Sequence, residues 1–285
     1  MAVGAPASCP GQLTMAITAS QPMGLRRWRS SRDAIWQFLP VLLLAALWQA
    51  VSMSGLIDPD FLPGLDRILA ALWEMARDGE LAFNLFVTIY RSFAGLAIGT
   101  VLGVLIGLAM ATSRAADGFF GPLVATTYSL PKSTLVPLFI LWFGVGDITP
   151  IVTVVLACLL PVIVGTYHGI KAVPPILIWS AQAMGTPRRL ILWRIKLPAA
   201  LMPILTGIRI ALGFSFVLTI SSEMIATRVG IGKLIFMDGE NGAYAYMFAG
   251  LLAVVLIAYL SDRGMVRLMR YLLRWQDSAE LTADA

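Results

Sequence analysis

The stretch that decides the fold runs from residue 84 to residue 112, NLFVTIYRSFAGLAIGTVLGVLIGLAMAT. It carries one charged side chain, Arg91, in twenty-nine residues. An apolar run of this length exceeds the roughly 20 residues that a helix needs to cross a bilayer, and it lacks the alternation of a barrel strand. A membrane-spanning helix is expected. Within it, Gly95, Gly99, Gly103 and Gly107 recur every four residues, which lines one helix face with positions that have no side chain. A second helix can approach closely along that face, from the same subunit or from a neighbouring one. Either way these glycines serve packing rather than chemistry.

The rest of the chain extends this reading. Of 285 residues, 58% are hydrophobic and 13% charged, a balance foreign to a water-soluble domain of this size. Further apolar runs at about 34–53, 119–143, 149–170, 200–226 and 244–264 give an all-α membrane protein with about six transmembrane helices. Gly121-Pro122, Pro131 and Pro137 break the third run. Such breaks are tolerated at membrane depth where backbone faces protein or a wet cavity, so this run is a candidate pathway wall. Residues 58–80 read as an external segment with a short amphipathic helix.

The expected organisation is a tail over 1–32, a transmembrane domain over 33–270 and a second tail over 271–285. The first tail is rich in Ala, Ser, Pro and Gly, which predicts disorder, and it ends in Arg26, Arg27, Arg29 and Arg32. A signal peptide fits poorly, because the following apolar run is long enough to span and lacks a small-residue cleavage site. The net charge of +5 does not point to nucleic acid, since the basic residues flank hydrophobic runs. They report topology instead. One set of connecting segments holds fourteen Lys and Arg and the opposite set holds only Arg67, Arg77, Arg228 and Lys233, which places both termini in the cytoplasm of a multi-pass inner-membrane protein.

Little chemistry is encoded. Cys9 and Cys158 lie far apart with no metal-ligand spacing, so neither a disulfide nor a metal site is expected. The single histidine, His168, has no carboxylate pair or ligand cluster near it and is assigned a buried or interfacial packing role. No phosphate-binding loop occurs, because Gly232-Lys233 is followed by Leu234. No catalytic residue and no cofactor are expected. Charges inside spans are costly, so Arg91, Lys132, Arg209 and Glu223 are the candidate pathway residues. Pairing between helices, for instance Arg91 with Glu223, is the alternative. Lys132, between Pro131 and Ser133, is the best placed to meet an anion in transit, because unwound backbone beside a cation suits a transient site.

Residues 174–203, PPILIWSAQAMGTPRRLILWRIKLPAALMP, form a connection too patterned to be passive. Pro175 suits a helix start, Gly185 a left-handed helix end, Thr186 an N-cap and Pro187 the first position of a second helix, which Pro198 closes. Arg188, Arg189, Arg194 and Lys196 decorate that second helix. The pair would present a rigid knob to a partner outside the membrane, or lie on anionic membrane lipid.

The same segment resembles the coupling loop of permease subunits of ABC importers, whose pattern is Glu-Ala-Ala, three residues, Gly, nine residues, Ile, one residue, Leu-Pro. Here Ala181, Gly185, Ile195, Leu197 and Pro198 stand at those spacings, while Trp179 and Ser180 occupy the first two positions. TIYRSFAGLAIG at 88–99, LPKSTLVPLFILWFGVGD at 130–147, GIRIALG at 207–213 and SSEMIA at 221–226 resemble the subgroup that imports nitrate, sulfonates, taurine or bicarbonate. The likeness covers roughly residues 84–270. It implies a type I importer permease fold and a pathway for a small anion. It further implies coupling through Ala181, Gly185, Thr186, Pro187, Arg189, Ile195, Leu197 and Pro198. The implied partners are two copies of a separate ABC ATPase, a second permease copy as a homodimer, and a periplasmic or lipid-anchored substrate-binding protein. A permease for a vitamin-precursor heterocycle is the nearest alternative. A secondary transporter would require inverted repeats and further membrane-depth carboxylates, and Glu223 is the only acid well inside a span.

Overall fold

The computed structural model describes residues 31–58 and 60–275. The expected N-terminal tail up to residue 30, with Cys9, Arg26, Arg27 and Arg29, lies outside the described residues, as does residue 276 onward. The chain divides into two units, residues 1–47 and 48–285. The described part of the first is the N-terminal portion of helix α1 (Ser31–Met53). The second unit carries α2 (Leu65–Arg77), α3 (Glu80–Thr112), α4 (Arg114–Tyr128), α5 (Val136–Phe143), α6 (Ile148–Lys171), α7 (Pro175–Ala183), α8 (Arg188–Ile191), α9 (Leu197–Ala199), α10 (Leu201–Ala226), α11 (Ile231–Glu240) and α12 (Tyr244–Leu272). Among the described residues there is no strand.

The core of the second unit is α6 sandwiched between α3 and α10. Each glycine of the α3 stripe lies against α6. A methyl group on Gly95 would sit 2.6 Å from Val154 Cβ, on Gly99 2.9 Å from Cys158 Cβ, on Gly103 2.8 Å from Val162 Cβ and on Gly107 2.7 Å from Thr166 Cβ. The matching four-residue stripe on α6 explains the register: two i, i+4 rows lie in contact along the helices. The stripe therefore packs within the subunit. On its other side α6 crosses α10 as closely, with Gly165 against the Pro203 carbonyl and Gly207 against that of Pro161. Leu96, Val154, Cys158, Val162, Ala211 and Phe216 fill the interior.

Around this sandwich the packing loosens. The apolar face of α2, with Ile68, Ala71 and Met75, is buried against Ile231 and Ile235 of α11 and Ala249 and Ala253 of α12. Helix α4 buries no residue at all.

Among the described residues, α3, α6, α10 and α12 are individually long and apolar enough to cross a membrane. The first and third expected spans take other forms. In the first, the described apolar part is the shorter Leu39–Met53. The third is not one helix. It divides into α4, a 3-10 turn at Lys132–Leu135, and α5. Pro131 adopts extended backbone (φ −71°, ψ 105°), and a proline can supply no N–H to continue α4. The last helix continues past the expected end near 264 to Leu272, and Leu273 is fully buried against Leu205 and Met269.

Candidate functional site

Three constellations carry the charged and unusual residues. The first is a buried knot where α3 begins and α10 ends. Arg91 and Glu223 are both essentially inaccessible and are joined by a 2.7 Å bond from Nη1 to Oε1. Arg91 Nη1 also donates to the Val229 carbonyl at 2.7 Å, and Nε and Nη2 both donate to Asp147 Oδ1. Thr88 Oγ1 lies within hydrogen-bond distance of both Glu223 oxygens, at 3.0 and 2.8 Å, and accepts the N–H of Ile231. Gly232 N–H donates to Oε2 at 3.0 Å, and Asn84 Oδ1 accepts the N–H of Gly230. Segment 229–232 wraps the carboxylate so tightly that a methyl group on Gly230, at φ +124°, would meet Glu223 Oε1 at 2.5 Å. A charge out of water requires this degree of satisfaction. The knot binds α3, the start of α6, the end of α10 and the start of α11 into one piece.

The pairing alternative for Arg91 and Glu223 is the arrangement found. Asp147, Thr88 and Asn84 did not stand out in the sequence. Thr88 could have been found three residues before Arg91 on the same helix face. Asp147 carries no local signal, because its partner is 56 positions away. Arg209 forms a two-pronged ion pair with Asp262 of α12, at 2.7 and 3.0 Å, and both side chains are partly exposed.

The second constellation is a cavity of about 760 Å³ between α6, α10 and the break that separates α4 from α5. Its walls are mostly apolar, with Leu160, Pro161 and Val164 from α6 and Ile210, Phe214 and Val217 from α10. The break contributes Tyr128, Lys132 and Ser133. Lys132 Nζ donates to the Tyr128 carbonyl at 3.1 Å and lies 5.7 Å from that ring's centre. Unlike Arg91 and Arg209, it forms no salt bridge among the described residues. His168 also lines the cavity and is exposed, stacked edge-on against Tyr167. Of the buried or interfacial packing role expected for it, burial is not found within the single chain: α6 turns this side chain toward the cavity, because the opposite face is taken by α3. Beside it, Tyr167 and Lys171 both donate to Asp117 Oδ2 of α4, at 2.9 and 3.1 Å. The Lys171 ammonium first, and then the Tyr167 hydroxyl, hold the Asp117 carboxyl below its usual range.

The third constellation is the loop between α6 and α10. Gly185 has φ +76° and closes a Schellman motif on α7: its N–H donates to Gln182 at 2.9 Å, and the Thr186 N–H to Ala181 at 3.0 Å. Two expectations shift by a residue. The Thr186 N–H closes that motif, and the extended Pro187 (φ −67°, ψ 148°) is the N-cap of α8 rather than its first helical residue, with no side chain capping the helix. Nor does Pro198 end the second helix. A π turn at Leu192–Lys196 precedes it, with the Leu197 N–H bonded to Leu192 O. This widening makes room for the proline ring, so the chain stays helical through α9. Ala181 and Ile191 are buried within the loop, while Trp179, Met184, Arg189 and Trp193 are exposed.

Residues 99–274 match the family described as binding-protein-dependent transport system inner membrane component. The taurine transport system permease protein TauC of Escherichia coli (strain K12) is 31% identical over 259 residues, covering 89% of this chain and 94% of the relative. SsuC of Bacillus subtilis (strain 168), an aliphatic sulfonates transport permease by name, is 30% identical over 242 residues, or 85% and 87% of the two chains. An inward-facing structure of the MetNI methionine ABC transporter superposes with a TM-score of 0.60 at 20% identity, over 67% of this chain and 95% of that one. The chain therefore belongs to the binding-protein-dependent transport system inner membrane component family. It is an ABC importer permease subunit with the type I fold, a multi-pass inner-membrane protein whose relatives are permeases rather than enzymes.

Proposed function

We propose that this permease forms the translocation pathway for a small sulfonate-class anion, taurine or an aliphatic sulfonate, rather than for nitrate or bicarbonate. The names of its relatives TauC and SsuC support that choice of cargo. The observation that carries the anion pathway itself is Lys132: a cation at the break of a span, facing a cavity, with no acidic partner among the described residues. A second permease copy completes the pathway, an external binding protein delivers the anion, and a separate ATPase, two copies per importer, hydrolyses ATP. The loop at 174–198 seats on that ATPase through Arg189 and the exposed apolar side chains around Gly185. Arg91 and Glu223 hold the bundle together, and Arg209 ties α10 to α12.

The test is uptake of labelled taurine and an alkanesulfonate into proteoliposomes containing permease, cognate ATPase and binding protein. Lys132→Met should cut uptake on the order of tenfold while the ATPase still copurifies. Uptake unchanged in that variant removes Lys132 from the pathway. Orientation follows the basic asymmetry. Cysteines placed singly at Asp66 and Glu240 should label from outside intact cells and one at Arg189 should not. The reverse pattern would invert the topology.

A further inference from the structure

Helix α10 lines the cavity from Met202 to Ser221. Nineteen residues of helix rise about 28 Å, close to the thickness of a bilayer's hydrocarbon core. The cavity is thus an elongated groove along the protein, and its chemistry is uneven. Its long walls are mostly hydrocarbon, from Leu160 and Val164 on one side and Ile210, Phe214 and Val217 on the other. His168, Thr206 and Ser221 are polar interruptions. Its cationic donor from the broken span is Lys132, beside the hydroxyl of Ser133. An ammonium has three donors, and the Tyr128 carbonyl takes one.

A groove for a fully hydrated inorganic anion would be lined by polar groups throughout, since stripping that anion's water without replacement is prohibitive. Predominantly hydrocarbon walls with a lysine at the broken span instead suit a ligand that is itself divided. We infer that the groove is a substrate site in its own right, built for an amphiphilic organic anion. The anionic head sits at Lys132 and Ser133, and an alkyl chain lies against the α6 and α10 walls. The permease then contributes selectivity of its own, for chain length, in addition to that of the binding protein. This inference rests on the sulfonate reading and deepens it.

The experiment uses the permease–ATPase complex in lipid nanodiscs without binding protein, titrated calorimetrically with ethanesulfonate, propanesulfonate, pentanesulfonate, pentanol and nitrate. Affinity should rise up to about 4-fold per added methylene, the value for full burial of each CH₂. Pentanol, which has the chain without the charge, should bind at least tenfold more weakly than pentanesulfonate. Lys132→Met should remove that advantage, and Lys132→Arg should largely restore it, separating loss of the cation from loss of the fold. Val217→Ser should flatten the chain-length dependence, weakening pentanesulfonate more than ethanesulfonate. Equal binding of pentanol and pentanesulfonate would show partition of a chain into lipid or groove without a head site, and would overturn the inference. So would nitrate binding as tightly as pentanesulfonate, or affinity independent of chain length. Uptake assays with binding protein separate the two levels. Sulfonate uptake with flat binding sinks the groove site alone, whereas absence of sulfonate uptake sinks the reading on which it rests.

Discussion

The α3–α6–α10 sandwich and the region of α4, α5 and the loop before α10 are built from the same residue types to opposite ends. Both use glycine. In the sandwich, a methyl group added to Gly95, Gly99, Gly103, Gly107, Gly165 or Gly207 would come within 3.0 Å of a neighbouring helix. In the other region, one added to Gly118, Gly121 or Gly185 would meet nothing within 4 Å. Both hold charge. Arg91 and Glu223 are buried and fully engaged, whereas Lys132 faces a cavity and Arg189 faces outward. An importer must keep one part of each subunit rigid while another moves between two access states. Dense packing with a satisfied ionic knot at one end makes a rigid body. A proline-broken span, a helix with no buried residue and a π turn supply parts with little packing to lose.

The largest effect should come from breaking the knot. Arg91→Met leaves Glu223 buried without its counter-ion, which costs about 3–5 kcal/mol where one partner of a buried pair is removed. Lys132→Met, with no salt bridge to break among the described residues, should leave thermal unfolding of the purified protein unchanged. If the two variants melt alike, the rigid body does not depend on its knot and the division of labour falls.

Glycines sharpen the comparison at intermediate scale. Gly103→Ala places a methyl 2.8 Å from Val162 Cβ between two packed helices, and overpacking of this kind costs about 1–3 kcal/mol. Gly118→Ala sits in open space on an exposed helix, where alanine's higher helix propensity favours it by up to about 1 kcal/mol. Opposite signs in the melting temperature are expected. Two shifts of the same sign would show that the α3–α6 contact yields more easily than its geometry implies.

Much of this division is legible in the chain. The glycine stripe declares itself by its spacing, and the broken span by Pro131 and Pro137. The left-handed turn at Gly185 is readable because only glycine adopts φ +76° without strain. What the sequence withholds is long-range. Nothing at Gly95 names Val154 as its neighbour, and nothing at Arg91 names Asp147. The π turn is hidden for a different reason: Pro198 signals a helix end, and only the register change at Leu192–Lys196 lets the helix pass through it. His168 stays open between burial and an interface because polarity alone does not say which face of α6 the third helix covers.

At the loop, the effect should be small in stability and large in coupling. Gly185→Val forces a β-branched residue into the left-handed region, at a local cost on the order of 1–2 kcal/mol. A side chain begun at Gly185 meets nothing within 4 Å, so expression and melting should be close to normal. Copurification of the cognate ATPase, substrate-stimulated ATP hydrolysis and uptake should fall together. A variant that keeps all three would show that the turn is not a coupling element.

The smallest expected effect lies where the two regions meet, at Asp117 of α4 and Tyr167 and Lys171 of α6. This cluster is solvated, so it should act as a weak tether rather than as a second knot. Its signature is the direction of its pH dependence. The carboxyl is held below its usual range in the folded protein, first by Lys171 and then by Tyr167, so the charged form is favoured by folding. The contribution is therefore fully present above the unfolded-state pKa, near 4, and is lost as pH falls through the lower folded-state value. Asp117→Asn should sit slightly below wild type in melting temperature at pH 7, and the gap should close below about pH 4. The gap between wild type and Gly103→Ala, which involves no titrating group, should stay constant across the same range. If the Asp117→Asn gap is as large as that of Arg91→Met, then α4 is anchored as firmly as the sandwich and cannot be the loosely held element; a gap that does not change with pH would show that the Asp117 charge does not tether α4 at all.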